Sequence, residues 1–181
     1  MLMNNEKNSK GSVGGVATRA KAGGGHTAPT LHLSVQYAAK PDQVPTRAQF
    51  RRWVKAALRQ DAEIALRIVD EDEGRALNCD YRGKDYATNV LTFIYDDDFP
   101  GTESPLAGDI VLCAPVVARE ALQQEKSVEA HYAHLTAHGV LHLQGYDHES
   151  DEEARQMEAL EIQIVTKLGY ADPYREETKD I

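Results

Sequence analysis

Five of the seven histidines of this chain lie between residues 131 and 148, and three of them have a spacing suited to binding a metal ion. His138 and His142 are four residues apart in a segment with helical periodicity, so their side chains project from one face of a helix. Gly145 follows where the chain has to turn, and that turn returns His148 to the pair. Three imidazoles without an evident fourth protein ligand are typical of catalytic zinc sites, which keep one position open. The spacing therefore predicts a zinc site with His138, His142 and His148 as ligands.

The simplest alternative is that these histidines are ordinary residues of a helix, which the spacing and the glycine together disfavour. Tyr146 and Asp147 are expected either to support the site or to be simple turn residues, because a metal-bound imidazole needs a partner for its second ring nitrogen. His134 lies one helical turn before His138. It is a candidate for the same supporting role, or else a packing residue.

The same histidine spacing occurs in the metalloprotease motif His-Glu-x-x-His-x-x-Gly-x-x-His, and Gly145 falls on the glycine of that motif. The two patterns differ beside the first histidine. The protease has a glutamate there that acts as general base, whereas this chain has Gly139, which cannot accept a proton. Peptide hydrolysis by that mechanism is therefore disfavoured.

A second candidate site is the segment from Tyr81 to Asp85, which contains Arg82, Gly83 and Lys84 and is interpreted as a polar turn leading into a strand. Arg82 and Lys84 flank a flexible glycine and can present cations to a phosphate, arginine through two parallel hydrogen bonds. A surface turn with a salt bridge to Asp85 is the competing interpretation. The residues alone favour the surface turn, with Arg82 and Lys84 as candidates for binding a phosphate.

The elements that must position these residues begin with strands. Leu31 to Tyr37 alternates between apolar and polar residues, as a half-buried strand does, and Ile64 to Ile68 repeats the pattern before the charged run Asp70–Glu73, which is interpreted as the end of that strand. Val90–Phe93 and Ile110–Cys113 predict two more strands, joined by an acidic loop as a hairpin or a sheet edge.

Helix signals lie between and after these strands. Thr46 and Gln49 form a capping box before the first helix, and Ser127 is an N-cap for the histidine helix. Ser150 and Glu153 open a last helix, which ends at Gly169. The predicted fold is α+β, a mixed four-stranded sheet with helices packed on it and the metal-site helix late in the chain.

Length and composition are consistent with one domain. Residues 1–30 are rich in Gly, Lys and Asn without apolar periodicity, which predicts a disordered extension. Residues 31–174 form the predicted domain, and residues 175–181 a polar C-terminal tail. No apolar run is long enough to span a bilayer, and the only cysteines are Cys79 and Cys113, so we expect a cytoplasmic protein without a membrane partner. The net charge of −9 argues against a general affinity for nucleic acid.

Several motifs in fixed order resemble one family. They are Leu77-Asn78, the segment from Tyr81 to Phe93, Gly108-Asp109-Ile110, the histidine motif, and Leu168-Gly169-Tyr170 followed by Asp172-Pro173-Tyr174. From about Leu31 to Tyr174 the chain resembles the YbeY endoribonucleases, a family of bacterial rRNA maturation factors. Ala87 stands where the family usually has Pro, and Thr92 where it commonly has Ser; neither change touches the predicted chemistry.

The resemblance implies a zinc-dependent endoribonuclease that cuts single-stranded RNA, matures the 3′ end of 16S rRNA and takes part in ribosome quality control. It implies that His138, His142 and His148 bind the metal, with His138 also counted as catalytic, and that Arg82 engages the RNA and supports its cleavage. Expected partners are rRNA and the small ribosomal subunit with its associated proteins. Because such proteins can supply further affinity, an acidic enzyme with only a local cationic groove is compatible with RNA binding.

Two questions stay open at this level. Without a glutamate beside the first histidine, the options for the cleavage step are zinc-bound hydroxide, the RNA 2′-hydroxyl as internal nucleophile, or a carboxylate such as Asp147 or Asp109 as general base. The competing functions are a non-catalytic zinc-binding assembly factor of the ribosome and a metallohydrolase with another substrate.

Overall fold

The computed structural model describes residues 27–95 and 104–175. Its elements in chain order are β1 Leu31–Tyr37, α1 Arg47–Ala57, β2 Ala62–Val69, α2 Glu71–Arg82, β3 Val90–Tyr95, β4 Leu106–Cys113, α3 Ala114–Gln123, α4 Val128–Leu143 and α5 Asp151–Lys167. The strands form one sheet in the order β1-β2-β4-β3, in which β3 alone is antiparallel to its neighbour. The predicted α+β fold with a mixed four-stranded sheet is confirmed. Most of the predicted N-terminal extension, the acidic loop after β3 and nearly all of the C-terminal tail lie outside the described residues.

Side-chain caps begin the helices where the sequence predicts them. Thr46 accepts a hydrogen bond from the backbone of Gln49 at 3.2 Å, and the Gln49 side chain accepts one from Thr46 N at 2.9 Å. Ser150 and Glu153 make the same reciprocal pair at the start of α5. These contacts satisfy N–H groups that have no partner inside the helix, so they decide where each helix begins.

α2 shows that two of the sequence interpretations were wrong. Asp70 does not close a strand segment but caps α2, and its carboxylate accepts from Glu73 N at 2.8 Å. The acidic run that follows occupies the first turn, where negative charge stabilises a helix. At the other end Arg82 is the last helical residue rather than part of a turn, and Gly83 terminates the helix at φ +66°.

α4 is the central helix of the domain, and every residue from His131 to Leu143 is buried. It packs against α1, α3 and α5 and against strands β3 and β4. The ring of Tyr132 packs edge-on against Phe50 of α1, with ring centres 6.0 Å apart. A helix buried on all sides holds its histidines inside the protein.

Helices cover both faces of the sheet. Val90, Ile110 and Leu112 belong to the core shared with α4, whereas Leu91 and Val111 belong to a smaller core under α2. Successive strand residues point to opposite faces, so α4 and α2 lie on opposite sides of the β3–β4 hairpin. None of the helices in the described ranges is long and apolar enough to cross a membrane.

Gly108 marks a close approach of α4 to the sheet. A Cβ at this position would lie 2.6 Å from Leu143 Cδ2 and 2.6 Å from the carbonyl oxygen of Phe93. The Phe93 oxygen belongs to the ladder with β4 and cannot move freely, so Gly108→Ala is expected to destabilise the domain by about 1–3 kcal/mol. Denaturant unfolding measures this loss against Ala107→Ser, the half-buried neighbour. Equal stability of the two variants would contradict the packing described here.

Candidate metal centre

The predicted metal ligands come from the end of α4 and the turn after it. His138 and His142 lie one turn apart in the helix, and α4 ends at Leu143. Gly145 adopts φ +95°, a conformation that side chains disfavour, and Tyr146 N closes the turn by donating to Leu141 O at 3.1 Å. This reversal brings His148 back to the helix, as the glycine predicted.

The three rings form one cluster. The centre of the His142 ring lies 4.5 Å from that of His138 and 5.1 Å from that of His148, and the third centre-to-centre distance is 5.9 Å. The Nε2 atoms of His138 and His142 are 3.0 Å apart. Both side chains are almost fully buried, whereas that of His148 is 16% exposed. The cluster is therefore open to solvent on the His148 side.

A buried carboxylate of α5 supports this cluster. Glu161 Oε1 lies 2.5 Å from His138 Nδ1, and Glu161 Oε2 lies 2.7 Å from His134 Nε2. Oε2 also accepts a hydrogen bond from the hydroxyl of Tyr174. Burial by itself raises the pKa of Glu161, but the hydrogen bonds from the two histidines outweigh it and leave the pKa well below its usual range. Glu161 is therefore an ionised acceptor inside the core.

Glu161 escaped the sequence analysis, although the sequence contains a signal for it. It lies in the apolar stripe of α5 with Met157 and Ile164, at a position where a solvated glutamate is not expected. His134, which the sequence left between two roles, contacts this carboxylate. Burial lowers the pKa of His134 in spite of Glu161, so its ring is a neutral donor.

The hydrogen bonds around the facing nitrogens indicate where the protons are. His138 donates to Glu161 through Nδ1, and its other ring nitrogen, Nε2, faces His142. Burial, with contributions from His138 and His148, lowers the pKa of His142 to about 3, and that ring is neutral near pH 7. A hydrogen bond to the backbone of Tyr146 opposes this shift, as a bond from a ring N–H to a carbonyl does. The hydrogen bonds to Glu161 and to the Tyr146 backbone are thus separate from the contact between the two rings, in which the Nε2 atoms lie 3.0 Å apart.

Asp147 is the acidic residue beside the third histidine. Its Oδ1 accepts from His148 N at 2.9 Å and lies 3.3 Å from His148 Nδ1. Asp109, the other candidate base, follows Gly108 in β4 and so points to the sheet face opposite α4. There it accepts a hydrogen bond from the Tyr95 hydroxyl at 2.5 Å. Of the two carboxylates, Asp147 is the one that lies at the histidine cluster.

Gly139 faces the sheet, which explains the missing protease glutamate. A Cβ on this glycine would already be 3.1 Å from Ile110 Cγ2, in the middle of the helix–sheet contact. A longer side chain at this position would enter the core rather than the cluster. The packing around Gly139 therefore cannot place at the histidine cluster the glutamate that the protease mechanism requires.

Arg82 and Lys84 lie at the end of α2 and just beyond it, and α2 packs on the sheet face opposite α4. Arg82 is half-buried at the end of α2, and Lys84 is exposed just beyond it. The surface-turn interpretation placed Asp85 in a salt bridge with this cationic segment. Asp85 instead binds Arg75 through two hydrogen bonds of 2.7 and 2.9 Å.

The ends of α2 and α4 approach the same part of the β3–β4 ladder. Tyr81, next to Arg82, packs on Phe93 with ring centres 4.8 Å apart, and Phe93 pairs with Asp109. Leu143, next to His142, packs over Gly108, which pairs with Ile94. Because β3 is the edge strand, both helix ends lie at one border of the sheet.

Comparison with known proteins identifies the family. The family model described as endoribonuclease YbeY matches residues 35–169. The chain belongs to the YbeY family.

Among its relatives, a protein from Nitrosomonas europaea named endoribonuclease YbeY is 62% identical over 144 residues, which cover 80% of this chain and 85% of the relative. One from Methylobacillus flagellatus with the same name is 58% identical over 152 residues, 83% of this chain and 98% of the relative. A solution structure from Thermotoga maritima is 25% identical, covers 80% of this chain and has a TM-score of 0.48. Membership of the YbeY family confirms the resemblance seen in the sequence motifs.

Proposed function

We propose that this YbeY family member is a zinc-dependent endoribonuclease that cuts single-stranded RNA, matures the 3′ end of 16S rRNA and acts in ribosome quality control. The name of its relatives supports the reaction class. The observation that carries the metal is the cluster of three imidazoles, in which the Nε2 atoms of His138 and His142 lie 3.0 Å apart and the His148 ring lies beside them. Three imidazoles that converge on one point are the ligand set of catalytic zinc sites.

The donor set fits zinc. Three imidazoles bound to one tetrahedral zinc ion at about 2.0–2.1 Å have ring centres roughly 5 Å apart. The observed separations of 4.5, 5.1 and 5.9 Å bracket that value. No three His, Cys, Asp or Glu side chains in residues 27–95 and 104–175 are already arranged as a metal-holding group, so binding includes a small movement of the rings. His138, His142 and His148 would hold the ion.

Each residue near the centre has a separate task in this proposal. A zinc ion held by the three histidines would supply Lewis-acid stabilisation of charge on a phosphate oxygen. Arg82 offsets the charge that develops on the phosphoryl group as the P–O bond breaks, and Lys84 binds the chain next to it. Asp147 orients the His148 ring through Nδ1. The position of Arg82 at the same sheet border as the end of α4 supports this division.

The exposed aromatic residues support a preference for single strands. Of the large hydrophobic side chains that are exposed in the described ranges, Tyr81 and Tyr86 flank Arg82 in the sequence, and Tyr95 lies on the same sheet face as Phe93, on which Tyr81 packs. Tyrosine rings at a cationic segment can stack on unpaired bases, and duplexed bases are not available for such stacking. The proposed RNA partner is rRNA in the cytoplasm, on or near the small ribosomal subunit and its associated proteins, as the resemblance of the sequence motifs to the YbeY family implies.

Cleavage of labelled RNA by zinc-loaded protein tests the proposal. A single-stranded oligonucleotide is expected to be cut and the same sequence in a duplex to be cut poorly. Binding should weaken steeply as salt is raised from about 50 to 200 mM, because phosphate contacts release counterions. Equal cleavage of both RNA forms would contradict the strand preference. Protein that binds zinc and ribosomal particles but cuts no RNA would instead indicate a non-catalytic zinc-binding assembly factor.

A further inference from the structure

Glu161 is a buried carboxylate to which the proposed reaction gives no task. Its side chain is 1% exposed and accepts hydrogen bonds from three donors, His134, His138 and Tyr174. The other glutamates of α5 in the described ranges are exposed. Burying an ionised carboxylate costs free energy unless hydrogen-bond donors surround it. The Glu161 carboxylate is therefore stable in the core only when its donors are all present.

The chemical property that distinguishes a carboxylate here is that it only accepts hydrogen bonds. Glu161 Oε1 obliges His138 to hold its proton on Nδ1 at 2.5 Å. In a neutral ring this placement of the proton leaves a lone pair on Nε2, the atom that lies 3.0 Å from His142 Nε2. An amide in place of the carboxylate has both a donor and an acceptor, and its NH₂ group can donate to Nδ1 and move the proton to Nε2.

We propose that Glu161 is the positioning residue of the metal centre, which fixes the ring and the tautomer of His138 so that Nε2 is free to bind the ion. The inference rests on the proposed zinc site. Glu161 does not touch substrate or metal and acts through His138. A carboxylate behind a metal-bound histidine orients the ring and raises its basicity, and loss of such a partner typically weakens metal binding about 10–100-fold.

Two further residues hold the carboxylate in place. His134 donates to Oε2 at 2.7 Å, and Tyr174 donates to the same oxygen from the segment after α5. The Tyr174 ring also packs edge-on against His134, with ring centres 5.3 Å apart. Tyr174 therefore connects the Asp172-Pro173-Tyr174 motif, which the sequence analysis found without assigning a role, to the metal centre.

The test compares Glu161→Gln with Glu158→Gln. Glu158 is exposed on the same helix and its charge also acts on Tyr174, so the control removes one negative charge without removing the contact to His138. Zinc affinity is measured by competition with a chromophoric chelator, and the tautomer of His138 by nitrogen-15 NMR of the metal-free protein. We expect Glu161→Gln to bind zinc about 10–100-fold more weakly, and its His138 proton to appear on Nε2. Glu158→Gln should match the wild type in both measurements.

Folded Glu161→Gln with wild-type zinc affinity and an unchanged tautomer would overturn the inference. If that variant does not fold, Tyr174→Phe takes its place, because it keeps the ring and removes only the hydroxyl. A smaller loss of affinity in the same direction supports the role of the carboxylate, and no change overturns it. Wild-type protein that binds no zinc would refute the proposed function, and the tautomer in the metal-free protein would then decide the role of Glu161 by itself.

Discussion

Replacing His138 with alanine is expected to abolish both zinc binding and RNA cleavage. His138 is the ligand that contacts His142 through Nε2 and Glu161 through Nδ1, so its removal breaks the cluster and its support together. Metal analysis should fall from about one zinc ion per chain to none, and cleavage of single-stranded RNA should fall to background. His142→Ala and His148→Ala are expected to behave in the same way.

A loss of activity is informative only if the variant remains folded. The substitution leaves Glu161 with two of its three donors, so some fall in melting temperature is expected. His32→Ala is the matched control, because His32 is an exposed histidine of β1. A folded His138→Ala protein that still cuts RNA in a zinc-dependent manner would refute the assignment of this ligand.

Arg82→Ala is expected to keep zinc and the fold but to lose about 10²–10³-fold in cleavage rate, the usual effect of removing one well-placed charge donor. We expect zinc to be retained because the metal ligands belong to α4 and the turn after it, whereas Arg82 belongs to α2. The ends of α2 and α4 lie at the same border of the sheet. Arg82→Lys should recover only part of the rate, because lysine cannot make two parallel hydrogen bonds to a phosphate.

Arg75→Ala is the control for this prediction. Arg75 lies on the same helix, and its bond to Asp85 is an exposed ion pair of the kind that contributes little to stability. Single-turnover rates, zinc content and melting temperature are compared for all three variants. If Arg82→Ala cuts RNA as fast as Arg75→Ala but impairs ribosome assembly, the protein acts by binding and the nuclease proposal is wrong.

Local patterns explain which parts of the fold were predictable. Alternation identified β1 and β2, and reciprocal caps placed the starts of α1 and α5. α2 was missed because its acidic first turn resembles a charged loop and its apolar face is short, with only Gly74 and Asn78 fully buried. Its stability depends on the cap at Asp70 and on packing against β4, and a charged run by itself reports neither.

The sequence by itself determined the histidine cluster, because His138, His142, Gly145 and His148 are joined by one helical turn and one glycine turn whose geometry is local. Tertiary structure alone decided the support of that cluster: Glu161 is 23 residues from His138 in sequence and reaches it only because α5 packs on α4. It also decided that Asp109 points away and that Arg82 arrives from the opposite face. The positions of Asp109 and Arg82 depend on the pairing of β4 between β2 and β3. Hydrophobic periodicity in the sequence predicts single helices and strands, but not contacts between distant segments.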